Sequence, residues 1–137
     1  MLKVNKLTKE FKSGDYKIAA VKDISLYIPN SIFSTIMGRS GSGKSTLLSL
    51  LGALDKPTSG TIEVDGQNIT SFGESKLIKY RRNKIGFIFQ NYNLIPNLTA
   101  LENVILPMEF VGVGLKNKKE RAEDLLLRVG LSKKIRP

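Results

Sequence analysis

The sequence predicts an α/β fold built around a phosphate-binding loop, and three neighbouring segments predict it together. Residues Gly38-Arg39-Ser40-Gly41-Ser42-Gly43-Lys44-Ser45 satisfy the pattern G-x-x-x-x-G-K-[ST]. A strand-like apolar run, Ser31–Met37, leads into the loop, and a helix-like run from Thr46 to Leu51 leads out. The glycines permit backbone angles that a side chain would forbid, so successive N–H groups can curl around an anion. The helix that follows turns its unpaired N–H groups and positive dipole end toward the same point. Lys44 is then placed for the β- and γ-phosphates of a nucleoside triphosphate, and the Ser45 hydroxyl for Mg²⁺. A Gly/Ser-rich loop that matches by chance is the bland alternative, and the flanking strand and helix weigh against it.

The other elements follow in order. Leu2, Val4 and Lys6-Leu7 suggest a short first strand. Val21–Ile28 alternates, with Ile24, Leu26 and Ile28 on one face, as a half-buried strand does. Pro29-Asn30 turns the chain toward the loop. After a helix over 44–54, Lys56–Gly60 reads as a turn. Thr61–Val64 and Gln67–Ile69 then flank Asp65-Gly66, a hairpin signal because such a turn needs positive φ. A basic helix near 74–83 precedes Ile85-Gly86-Phe87-Ile88-Phe89, whose unbroken apolar character predicts a strand buried on both faces of a central sheet.

The last third changes character. Thr99-Ala100-Leu101-Glu102 has the form of a capping box, opening a helix toward Phe110 that Pro107 disturbs. Gly112-Val113-Gly114 predicts a break. A second helix over 117–129 places Ala122, Leu125, Leu126 and Val129 on one face and stops at Gly130.

Size and composition bound the function. The chain of 137 residues is long enough for a compact domain with a core. It has no cysteine, which excludes disulfides and thiolate chemistry and suits a reducing cytoplasm. No stretch has the form of a signal peptide or the length of a membrane span. The net charge of +10 is concentrated. Lys76, Lys79, Arg81, Arg82 and Lys84 have no acid among them, and a second basic cluster runs from Lys116 to Arg136. Solvated helix faces explain both better than a nucleic-acid site, because no nucleic-acid motif accompanies them.

Longer matches narrow the reading. Tyr80-Arg81-Arg82, Ile85–Gln90, the run from Tyr92 through Val104 and Leu54-Asp55-Lys56-Pro57-Thr58-Ser59-Gly60 resemble the nucleotide-binding subunit of ATP-binding-cassette (ABC) transporters over the whole chain. The branch they resemble serves lipoprotein release, macrolide export and antimicrobial-peptide resistance. The resemblance implies a P-loop core with an antiparallel β subdomain through the Q-loop (1–90) and the start of a helical subdomain (91–137), together an incomplete domain. It implies ATP and Mg²⁺ as ligands, held by Gly38, Arg39, Ser40, Gly41, Ser42, Gly43, Lys44, Ser45 and Thr46. Arg39 stands where the family commonly has proline; this position offers mainly its backbone, so the cradle is expected to survive.

The resemblance also makes Gln90 the Q-loop glutamine, reaching Mg²⁺ and the attacking water. It puts Phe11 where the family stacks an aromatic on adenine, with Tyr16 in reserve; packing at the sheet edge is the other reading of Phe11. Tyr92–Leu98 corresponds to the region near the groove that receives the membrane subunit. A homodimeric partner cassette and a place at the inner face of the cell membrane, reached through the permease, are implied as well.

Several family features are absent from these residues. There is no Leu-Ser-Gly-Gly-Gln segment, no second acidic strand with its catalytic glutamate, and no histidine. The chain therefore reads as the N-terminal part of a longer protein or of an interrupted gene. Weak Mg·ATP binding without hydrolysis is the expectation for these residues alone. The alternatives are a non-catalytic subunit that only occupies the membrane partner and, ranked third, a nucleic-acid-binding P-loop protein.

Overall fold

The computed structural model describes residues 1–111 and 118–131, and these form two compact units, 1–85 and 86 onward. In the first unit, β1 (Leu2–Ser13) is a central strand. It pairs antiparallel with β2 (Tyr16–Ile28) on one side and with β3 (Ser59–Val64) on the other. A two-residue β4 (Gln67–Asn68) completes the order β2-β1-β3-β4. The predicted alternation in β2 holds: Ile24, Leu26 and Ile28 are partly buried while Ser25 and Tyr27 are exposed. The Asp65-Gly66 turn has φ of 49° and 79°, the left-handed pair that a tight hairpin demands.

Both long strands exceed the sequence expectation, extending into the hairpin Lys9–Ser13/Tyr16–Ala20. Irregularities in the β1–β2 register coincide with positive φ at Lys6 and Asp23. Side-chain hydroxyls take up the amides these bulges displace: Lys6 N donates to Ser25 Oγ at 2.9 Å and Asp23 N to Thr8 Oγ1 at 3.0 Å.

On this sheet lie α1 (Lys44–Leu51), a 3₁₀ turn (Ile69–Ser71) and α2 (Glu74–Lys84). Their apolar positions meet the strands in one core of Val4, Leu7, Val21, Leu47, Leu50, Ala53, Ile62, Ile69 and Leu77. Arg81 ties α2 down, donating to Ala53 O and to Glu74 Oε1, each at 3.0 Å. One member of the first basic cluster is thus structural.

Two expected strands are not formed. Neither Ser31–Met37 nor Ile85–Phe89 joins a ladder among the described residues, and Phe33, Met37 and Ile88 are 95%, 87% and 98% exposed. The reason is physical. A strand exists only when a neighbour accepts and donates its backbone hydrogen bonds, and no described strand pairs with either run, although Ile36 packs against the core.

The second unit contains α3 (Ala100–Val111) and α4 (Lys118–Arg128). The capping box is present in full: Thr99 N donates to Glu102 Oε2 at 2.8 Å, and Glu102 N donates to Thr99 Oγ1 at 3.2 Å. The Thr99 amide, then its hydroxyl, holds the Glu102 carboxyl below its ordinary value. Pro107 lies inside α3 without ending it. In α4, Ala122 and Leu126 are buried, but Val129, expected on the same face, is 69% exposed. It sits past the last helical residue, where the chain turns away. Gly130 N donates to Leu127 O at 3.0 Å and Leu131 N to Leu126 O at 2.8 Å, the paired bonds of a Schellman cap. The predicted break at Gly112-Val113-Gly114 falls outside the described residues.

Candidate nucleotide-binding site

The stretch Gly38–Ser45 takes the backbone turns that its glycines permit. Gly41 and Gly43 have φ of 77° and 86°, and Gly43 is the N-cap of α1. A Cβ at Gly43 would lie 1.9 Å from the Ala20 carbonyl oxygen, so β2 presses its backbone directly against the loop. No side chain fits there. Ser42 N donates to Arg39 O at 3.3 Å, and Leu47 N to Gly43 O at 2.8 Å, closing the first helical turn. Among the described residues the amides of Gly43, Lys44, Ser45 and Thr46 have no protein acceptor. They are the donors a helix N-terminus offers to an anion.

The Lys44 ammonium bridges the loop, donating to Gly38 O at 3.0 Å and to Arg39 O at 2.7 Å. An ammonium has three donors, so one remains for an outside acceptor. Ser45 is in the first turn of α1, directly after Lys44. Gly38, Arg39, Ser40, Gly41, Ser42, Gly43, Lys44, Ser45 and Thr46 therefore form one continuous stretch that leads into α1 and is bridged by the Lys44 ammonium. The cradle suits a triphosphate tail: it offers amides, a cation and no carboxylate. No cluster of three acidic or histidine side chains occurs among the described residues, so a hard cation would lean on phosphate oxygens and hydroxyls.

Phe11 is on β1, 44% exposed, opposite Ile18. Ile18 is two residues along β2 from Ala20, whose carbonyl abuts Gly43, so the aromatic and the phosphate loop share one end of the hairpin. The Lys9 ammonium lies 5.1 Å from the Phe11 ring centroid. Tyr16, at the hairpin tip opposite Ser13, is 79% exposed. Gln90 belongs to the second unit, where it is an exposed turn residue.

The second unit also holds Tyr92–Leu98. Tyr92 and Leu94 are 85% and 65% exposed, and Ile95 is 43% exposed. One residue that the sequence reading passed over organises this loop. The Asn103 carboxamide receives Ile95 N at 2.8 Å and donates to Ile95 O, Leu98 O and Thr99 O at 3.0–3.2 Å. Its only local signal is its position four residues after the capping threonine, one helical turn away. A second unforeseen feature is the Lys9–Asp55 pair at 2.7 Å, reinforced by Lys9 Nζ on Lys56 O at 2.7 Å, which fastens the turn after α1 to β1. Burial pushes the Asp55 carboxyl up, but Lys9 and the Lys56 amide outweigh it and leave the group below its ordinary value.

Comparison with known proteins agrees with this geometry. The pattern of the ABC transporter family matches residues 21–136. The chain belongs to the ABC transporter ATP-binding family. It is 46% identical over 127 residues to an uncharacterized ABC transporter ATP-binding protein of Thermotoga maritima, covering 93% of this chain and 54% of that one. It is 44% identical to the macrolide export ATP-binding/permease protein MacB of Salmonella choleraesuis, covering 98% of this chain and 21% of MacB. The fold matches the dimeric, post-hydrolysis structure of the ATP-binding cassette MJ0796 bound to ADP and Pi. That match has a TM-score of 0.87 and 44% identity, over 95% of this chain and 57% of the other. The MJ0796 protein comes from Methanocaldococcus jannaschii. This chain thus spans about half the length of the cassettes it matches, and its α/β architecture is that of an ABC ATPase cassette in part. No helix among the described residues is long and apolar enough to cross a membrane.

Proposed function

We propose that this ABC-family chain binds Mg·ATP through Gly38–Thr46 and serves as the energy-coupling side of an exporter or extraction system. One observation supports this above the others: unpartnered amides from Gly43 to Thr46 converge with the Lys44 ammonium at the start of α1. In this reading the amides and Lys44 hold phosphate oxygens, the Ser45 hydroxyl serves Mg²⁺, and Phe11 stacks on the base; the Mg²⁺ and water role of Gln90 rests on the family resemblance. Mg²⁺, when bound, would neutralise charge on the phosphates. The loop orients the triphosphate and fixes its charge. Lys44 would exchange or share a carbonyl bond as a phosphate oxygen arrives. We infer binding without turnover for residues 1–137 alone, because a loop that only holds phosphates supplies part of what hydrolysis needs.

Calorimetric titration with Mg·ATP tests the site. Saturable binding is expected, weakened at least tenfold by Lys44→Ala, since a charge-assisted contact contributes about 1.5–3 kcal/mol. Equal affinity in the variant would defeat the assignment, and steady ATP hydrolysis lost with Lys44 would defeat the claim of no turnover.

We assign Tyr92–Leu98 to a membrane-subunit partner, because Tyr92, Leu94 and Ile95 lie on a loop and are exposed. The MacB relative carries its ATP-binding and permease functions in one named protein. Leu94→Ser with Ile95→Ser should weaken co-purification with the permease subunit and leave ATP affinity alone; unchanged co-purification would sink this part.

A further inference from the structure

A second basic feature of the first unit is not used by the nucleotide site. α2 and the β3–β4 hairpin enclose a cleft of about 360 Å³, within the size range of small-ligand pockets. Its floor is apolar and aromatic: Val64, Ile69, Phe72 and Tyr80, with the two rings edge to face at 6.4 Å between centroids. Along its rim stand Lys76, Lys79 and Lys84, which recur on one face of α2. Among the described residues none of the three has a carboxylate within 4 Å, whereas Arg81 in the same cluster is committed to Glu74. Lys76 Nζ lies 3.8 Å from the Phe72 centroid, directly above the cleft floor. The single lining carboxylate, Asp65, is paired with the Met1 ammonium at 2.7 Å. Burial, then the Asp65 charge, pushes the Tyr80 phenol up and keeps it a hydrogen-bond donor.

We propose that this cleft binds a small phosphate-bearing ligand with an aromatic or apolar body. The body would cover the Phe72–Tyr80 floor while the phosphate meets the lysine rim. Lysines act on phosphate as point charges from several sides; the Lys84 charge already acts on the Asp65 carboxylate, which leaves Lys76 and Lys79 to meet the phosphate. The apolar floor disfavours bare inorganic phosphate as the best occupant. The same chemistry is offered by a soluble phosphomonoester and by an anionic lipid headgroup.

The test is residue-resolved NMR of the 137-residue chain carrying Lys44→Ala, so that the phosphate loop does not compete for the probe. Phenyl phosphate should shift the amides of Phe72, Tyr80 and Asn83 saturably, and Lys76→Gln with Lys79→Gln should weaken that binding at least tenfold. Benzyl alcohol and inorganic phosphate should each bind more weakly than phenyl phosphate. A parallel arm uses phosphatidylcholine vesicles with and without phosphatidic acid. A lysine-dependent response to phosphatidic acid, with none to phenyl phosphate, supports the site and identifies the lipid source. The proposal is overturned if neither probe gives a lysine-dependent response, or if benzyl alcohol acts as well as phenyl phosphate. Retained amide dispersion in the glutamine variants shows that any loss is local, and Lys→Arg at both positions should restore binding.

Discussion

β3 has only Ile62 and Val64 as large apolar residues while the run Ile85–Phe89 is apolar throughout, yet it is β3 that forms a strand. In β3, Ile62 lies opposite Val4 of β1 and is 1% exposed. In the second run, Ile88 is 98% exposed and bonded to no neighbouring strand among the described residues. Ser31–Met37, which follows β2 in sequence, likewise pairs with no strand among the described residues. Composition makes a segment capable of being a strand, but a partner at 4.7–4.9 Å makes it one. Where the partner lies a turn or a short loop away, as in both hairpins, the pairing is self-contained.

The largest test of this contrast compares two truncations. Ile62→Ala should cost about 2–5 kcal/mol, as removal of buried methylenes does, while Ile88→Ala should stay within about 0.5 kcal/mol. Urea denaturation of the two variants measures both; equal losses would mean that Ile88 is as deeply packed as Ile62. Next in size is Gly43→Ala, which probes where the paired sheet touches the loop. A left-handed alanine facing the Ala20 carbonyl should cost about 2 kcal/mol and reduce Mg·ATP affinity as well. Wild-type stability and affinity would show that β2 can recede. The smallest effect concerns Asp55. Its folded pKa is lowered, so its contribution is present above the unfolded value and fades as pH falls through the folded one. Asp55→Asn should flatten the acid limb of the stability profile, and an unchanged limb would remove Lys9–Asp55 from the argument.

The sequence was most legible where a feature is local. The capping box at Thr99–Glu102, the Asp65-Gly66 turn, the loop Gly38–Ser45 and the stop at Gly130 each depend on a few consecutive residues, and each is formed as read. Legibility failed where the cause is remote. The outer hairpin, Lys9–Ser13 with Tyr16–Ala20, has mixed polarity, so its strand character comes from the pairing alone. Ser31–Met37 and Ile85–Phe89 were read as strands from composition, which is silent about neighbours. The Ala20 carbonyl matters through a contact that no spacing announces, and Asn103 is marked only by its place one turn after Thr99. The family resemblance, in contrast, rested on dispersed matches and was confirmed at 44–47% identity.

The position of β1 has a consequence for how the protein is made. This strand is synthesised before its two partners, and Tyr16–Ile28 can zip onto it almost at once through a tight hairpin. Its other flank pairs Leu2 with Val64, so it must wait for more than half of the first unit to be synthesised. During that interval the nascent hairpin has a bare edge, and closing it by the distant strand carries the loop-entropy cost that slows non-local pairing. The stretch around Gly43 shares in this delay, because it leans on a ribbon whose other flank is paired only once residue 64 has arrived.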